Sequence, residues 1–250
     1  MNTVQIKKIP SNVTLSVADD PFFLPESLQQ SIDSYWAALH SEGKEFLRGE
    51  VYSIKRMSET ENELQVTLHK TDYAHFLYSK NRNIPDSYKC RVIVANGVLV
   101  TKDNVFMLGE MNDWTSTPGR IQFVAGGIDE QDIHSSRIDI SATLKREVGE
   151  EVGIDLDDPD VVSNIEPRYI VNWGNIALVY IIRLQIASVE FMSRYENFEQ
   201  SLKEKGMNPE FASIVQLPAD RESVAEFLRR DRRPRSDFLK AVLEKETGLS

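Results

Sequence analysis

The chain has 250 residues, with 39 acidic against 29 basic side chains and a formal net charge of −10. At 41% hydrophobic and 27% charged residues it can bury a substantial core, which excludes a disordered polar tail. So acidic a chain repels phosphate polymers and anionic lipid surfaces on average, which argues against nucleic-acid polymers and membranes as partners. A small phosphorylated molecule stays compatible with it if a bound cation mediates the contact. The single cysteine, Cys90, excludes an intramolecular disulfide and a cysteine-based zinc cluster. The opening MNTVQIKKIPSNVTL has no apolar run behind its lysines, and the longest apolar run, 176–182, is seven residues. Neither a secretory signal nor a membrane span is expected, so a cytoplasmic setting is.

The first twenty residues alternate only weakly. From Pro25, Leu28, Ile32, Tyr35, Trp36 and Leu39 fall at helical spacing, and Gly43 ends the pattern. Two strand-like runs, 46–57 and 63–70, flank a polar turn and predict a hairpin; a short helix follows over 71–80. Apolar runs at 91–101, 105–109 and 121–125 predict three strands, the last ending at Gly126-Gly127. A helix is expected over 139–152, with Asp139 as N-cap and Gly153 as stop. Strands are expected at 161–171 and 175–186, then a helical tail from Val189 broken at 206–209, Pro218 and Pro234. Strands and helices in this order predict an α+β fold with a boundary near residue 88.

The segment 126–154, GGIDEQDIHSSRIDISATLKREVGEEVGI, carries the chemistry. On a helix, Leu144, Val148 and Val152 share an apolar stripe, and Glu147, Glu150 and Glu151 share the neighbouring face. Carboxylates so placed repel by about 0.2–0.5 kcal/mol per pair, an effect Arg146 can offset. Such a cluster of hard oxygen ligands suits Mg²⁺ or Mn²⁺, with waters and phosphates completing the shell. The plainer alternative is a solvated acidic face. Against it, 146–154 fits R-E-U-x-E-E-x-G-U, where U is aliphatic, at every defined position. Average residue usage gives such a match odds on the order of one in ten million per starting position.

This string resembles the signature of the nudix hydrolases, and the likeness extends to Gly126-Gly127 and to the strands RVIVANGVLVT and VFMLGE before them. The resemblance implies an α/β/α sandwich with a mixed sheet over residues 89–250, preceded by a smaller α+β extension at 1–88. It implies a divalent-metal diphosphatase, a hydrolase in which water attacks phosphorus. Glu147, Glu150 and Glu151 would hold the metal, Arg146 would hold one of these glutamates, and Gly153 would permit the turn after the helix. The front of the motif departs from the pattern. Gly127 and Arg146 have eighteen residues between them, five more than the family's G-x5-E-x7-R spacing, and no glutamate stands where the first is expected. Asp132 and Asp139 are the candidate replacements.

Thr71-Asp72-Tyr73 with Phe76 resembles a nudix subgroup in which a member acts on UDP-glucose; alternatively Asp72 caps a helix and the aromatics pack. The substrate class expected from that likeness is a nucleoside diphosphate sugar, split into nucleoside monophosphate and sugar phosphate. ADP-ribose, dinucleotides, and a non-catalytic binding or regulatory role are the alternatives. Trp114 and Arg120, together with Gly126 and Gly127, are candidate substrate contacts, by stacking and phosphate pairing. Glu196, Glu199 and Glu210 are candidate general bases. The basic run 229–235 is expected to serve a helix end or an oligomer contact, and a homodimer is one possible assembly.

Overall fold

Branched apolar residues favour the pleated strand, and the computed structural model describes residues 4–249. Two short strands, β1 (Gln5–Lys8) and β2 (Asn12–Val17), precede helix α1 (Glu26–Ser41). A hairpin of β3 (Glu50–Glu59) and β4 (Glu63–Asp72) leads into α2 (Tyr73–Asn81). Next come β5 (Ile93–Val100), β6 (Val105–Met111), β7 (Ile121–Gln122) and β8 (Val124–Gly127). A tight hairpin of β9 (Ile133–His134) and β10 (Arg137–Ile138) comes before α3 (Ile140–Val152). The chain closes with β11 (Val162–Asn172), β12 (Ile176–Leu184), α4 (Ser188–Glu204), β13 (Phe211–Pro218), α5 (Arg221–Arg230) and α6 (Leu239–Thr247).

The larger sheet runs β1-β11-β12-β5-β6-β13, with β7 on β6 and β8 on β5; β12 and β5 are parallel. Its two faces bury separate apolar clusters. Ile93, Ala95 and Leu99 of β5 face one side, where α3 packs through Leu144 and Val148 and α4 through Phe191 and Tyr195. Val98 and Val100 face the other, against Val224 of α5 and Leu239, Val242 and Leu243 of α6. The result is the expected mixed α+β class, a sheet between helical layers. β12 is buried along its whole length except Arg183, as a strand covered on both faces must be.

The smaller sheet runs β3-β4-β2-β10-β9. Ladders cross residue 88 in both directions: β1 pairs with β11 and β2 with β10. The extra residues between Gly127 and Arg146 therefore form the hairpin that extends the N-terminal sheet.

Three expectations are corrected. Residues 211–218 are a strand rather than part of a helical tail, because the free edge of β6 accepts them from Val105 to Met111. The first hairpin strand starts at Glu50, not at 46. The weakly alternating N-terminus forms β1 and β2, each held by a ladder to a distant strand.

Candidate active site

Helix α3 is fixed at both ends as its sequence predicts. Asp139 Oδ1 accepts from the N–H groups of Ser141 (2.9 Å) and Ala142 (3.2 Å), and Gly153 takes the left-handed conformation, φ 70°. The apolar stripe of Leu144, Val148 and Val152 is buried, and burial of each is worth about 1.5–3 kcal/mol. That anchoring draws Glu147 and Glu151 inward on the adjoining face. Glu151 is 1% exposed, while the Glu150 side chain stays largely in water.

Arg146 organises the front of the site. Its Nη1 donates to Glu147 Oε1 (2.6 Å) and Glu150 Oε2 (3.1 Å); its Nη2 donates to Asp132 Oδ2 (3.0 Å) and the Gly127 carbonyl (2.8 Å). Asp132, 2% exposed, also accepts from the Thr143 hydroxyl (2.9 Å) and the Asp129 N–H (2.9 Å). Of the two replacements considered for the absent glutamate, Asp132 pairs with Arg146 and Asp139 caps the helix. Burial alone would raise the Asp132 carboxyl, yet the Arg146 guanidinium keeps it below its ordinary value.

Gly126 is required by close approach. A Cβ there would lie 1.8 Å from the Glu147 carboxyl carbon, whereas one at Gly127 would meet nothing within 4 Å. Glu151 Oε2 accepts from the Ala125 N–H (3.0 Å), and its Oε1 is buried without a partner. Burial pushes Glu147 up to about 7 despite Arg146, with Glu150 and Glu210 adding repulsion. Burial, Glu210 and Glu147 raise Glu151 well above the carboxylate range. Glu210 is itself raised, by burial and by Glu150. The spare oxygen of Glu151, beside a Glu147 carboxylate that the missing side chain of Gly126 admits, is a donor set that suits a divalent cation. Among the described residues no three acidic, imidazole or thiol groups are gathered into a cage, and Arg146 holds Glu147 and Glu150.

Of the late glutamates, Glu210 converges on the site; Glu199 pairs with Lys203 on α4. Arg120 donates to Gln122 Oε1 (2.6 Å) and lies within electrostatic reach of Glu151 and Glu210. It lines a cavity of about 640 Å³. Trp114, 48% exposed, donates its indole N–H to the Pro209 carbonyl (3.1 Å) and lines a separate hollow of about 790 Å³ with Tyr73 and Glu210. The two candidate substrate contacts thus belong to different hollows. Asp72 caps α2 by accepting from the His75 N–H (2.8 Å), and Tyr73 stacks on Phe76 at 5.8 Å, Tyr73 lining the hollow of Trp114 and Phe76 that of Arg120. Within the basic run Arg233 meets Glu110 and Asp231 and Arg235 meets backbone carbonyls at the end of α5, whereas Arg229, Arg230 and Arg232 are exposed. Sequence reasoning missed Asn96, Lys80 and Ser236, which line the cavity of Arg120; the one signal was a polar residue, Asn96, inside an apolar strand.

No family model matches the sequence. No curated protein matches it either. Among solved structures, the chain is similar to DR0079 from Deinococcus radiodurans, at 15% identity and TM-score 0.42, over 62% of this chain and 82% of that one. It is similar to a nudix hydrolase from Nitrosomonas europaea, at 17% identity and TM-score 0.36, over 62% and 87%. A third is the nudix domain of Shewanella oneidensis NrtR in complex with ADP-ribose, at 13% identity and TM-score 0.37, over 68% and 94%. At such identities and TM-scores none of these decides the chemistry, which is read from the residues themselves.

Proposed function

We propose that the protein is a metal-dependent hydrolase of the nudix type that cleaves the diphosphate of a nucleoside diphosphate sugar to nucleoside monophosphate and sugar phosphate. The observation that carries this reading is the pair of buried glutamates, Glu147 against Gly126 and Glu151 with an unpartnered oxygen, with Glu210 within electrostatic reach and Arg146 clamped by Asp132. In this reading residues 89–250 form the hydrolase domain, and residues 1–88 are an extension that shapes the substrate pocket or a dimer contact. Glu147, Glu150 and Glu151 hold Mg²⁺ or Mn²⁺, which when bound neutralises diphosphate charge and lowers the pKa of water. Asp132 and the Gly127 carbonyl fix Arg146, and Arg146 sets the positions of Glu147 and Glu150. Glu210 is the base: it takes the proton of the attacking water as the new P–O bond forms and the bridging P–O bond breaks. Its raised carboxyl makes it a stronger proton acceptor than an exposed glutamate.

A panel of UDP-glucose, ADP-ribose, a diadenosine polyphosphate and NADH, assayed with Mg²⁺, tests the reading. UDP-glucose is expected to turn over fastest, and Glu151→Gln to lower kcat by on the order of 100-fold. Turnover unaffected by that change removes the site assignment, and no turnover of any member removes the hydrolase. Preference for ADP-ribose moves the substrate class. The lengthened front of the motif, with no glutamate at its first position, favours the second reading, a binding or regulatory module; selective binding of a panel member without hydrolysis establishes it.

A further inference from the structure

The cavity of about 640 Å³ lies between α2, the strands β5 and β8, and the segment before α6. Among the described residues eight buried side-chain nitrogen or oxygen atoms have no hydrogen-bond partner, and four of them border this cavity. They are both amide atoms of Asn96, Nε of Arg120 and the hydroxyl of Ser236. Buried polar groups are normally paired, so a concentration of unpaired ones against one hollow points to a ligand that pairs them. A fifth such atom, Glu151 Oε1, lies just beyond Ala125, which lines the cavity and gives its N–H to the same carboxylate.

The chemistry of the set narrows the ligand. Asn96 is fully buried in β5 and offers a donor and an acceptor side by side, the complement of a nucleobase edge that carries an adjacent acceptor and donor. Phe76 forms one wall, and the Trp173 and Phe238 rings, with centroids 4.7 Å apart, form another, so flat apolar surfaces flank the polar floor. Lys80 stands at the exposed side of the cavity and Arg120 within it, and both supply positive charge on the path to the carboxylates.

We propose that this cavity is the nucleoside pocket: the base sets its hydrogen-bonding edge on the Asn96 carboxamide, and its phosphate passes Lys80 and Arg120 toward Ala125. The assignment rests on the nucleotide reading above and deepens it, since it names the half of the substrate that this hollow holds. Specificity then lies with Asn96, because a base that cannot pair with both amide atoms leaves one of them buried and unmatched.

Calorimetric titration of the full chain in EDTA, with UMP, CMP, AMP, GMP, ribose 5-phosphate and glucose 1-phosphate, tests the pocket without turnover. One or two nucleotides are expected to bind roughly tenfold or more tighter than either sugar phosphate. Asn96→Leu is expected to erase that margin and leave ribose 5-phosphate unchanged. Lys80→Gln is expected to weaken every phosphorylated ligand by one common factor and keep the ranking. N3-methyl-UMP or N6-dimethyl-AMP, blocked at the base edge, should bind the unaltered protein as weakly as ribose 5-phosphate, a result that does not depend on how a variant folds. Equal binding of nucleotides and sugar phosphates, an equal loss for all ligands in Asn96→Leu, or no binding at all overturns the proposal. Base-blind binding alongside hydrolysis that Glu151→Gln abolishes removes the pocket and keeps the enzyme. Base-selective binding without hydrolysis does the reverse.

Discussion

Two hollows flank the carboxylates, and they are built differently. The one around Asn96 is framed by β5, β8 and a capped helix, and its polar groups lack partners. The one around Trp114 is bounded by the irregular segment 43–47, and its surface carries exposed apolar groups, with Leu47 87% and Trp114 48% exposed. The difference teaches where discrimination can reside. Fixed, unmatched polar groups reject a wrong ligand, whereas apolar surface on an irregular wall gains contact area with little regard to identity.

The largest expected effect bears on the frame both hollows share. Asp132→Ala leaves Arg146 without its most buried carboxylate and should cost about 3–5 kcal/mol of stability, read from urea unfolding. A loss below 1 kcal/mol would show that Glu147, Glu150 and the Gly127 carbonyl hold Arg146 without it. Gly126→Ala should follow: its methyl group displaces the Glu147 carboxylate and lowers kcat by on the order of 100-fold. Gly127→Ala, with open space around it, should change kcat by no more than about threefold, so equal effects at the two glycines contradict the close approach at Gly126.

Trp114→Ala sharpens the contrast between the hollows themselves. KM should rise by roughly tenfold, the loss of one aromatic contact, with the ranking of bases unchanged. A changed ranking would place base recognition on the Trp114 side. The smallest effect concerns the wall of the first hollow. His75, 1% exposed, donates from Nε2 to the Tyr88 carbonyl (2.8 Å) and accepts at Nδ1 from the Thr71 hydroxyl (2.8 Å), the pattern of a neutral ring. Burial lowers its pKa, so the unfolded chain takes up the proton first as pH falls. Stability is therefore complete above the ordinary value of about 6.5 and declines below it, by at most about 1.4 kcal/mol per pH unit. His75→Gln should flatten that slope in unfolding curves at pH 5 to 7 (roughly the window about the reference value); an unchanged slope assigns the decline to other groups.

Much of the carboxylate site was legible because it is local. One helix carries Arg146, Glu147, Glu150 and Glu151, and its periodicity, N-cap and glycine stop all lie within the same short stretch. What was not legible depends on partners far along the chain. β13 shows no alternation, since only Phe211 and Leu217 are buried, and it exists because β6 offers an edge. β9 and β10 are two residues each, too short for any pattern; Leu15 and Ser16 of β2 hold β10, and β10 holds β9. The Asn96 cavity joins α2, β5 and the segment before α6, and no spacing rule links positions that only the tertiary fold brings together.

The β9–β10 hairpin has a consequence for how this chain can be shortened. It turns at Ser135 and Ser136, both with positive φ, and is stitched to β2, while Asp132 at its base grips Arg146. The N-terminal strand thus acts as a splint on the loop that enters α3. Cutting the chain near residue 88 removes the splint along with the extension. The loop then regains the freedom that the ladder had taken away, at an entropic cost to the closed arrangement. The two halves are separable on paper but share one mechanical joint.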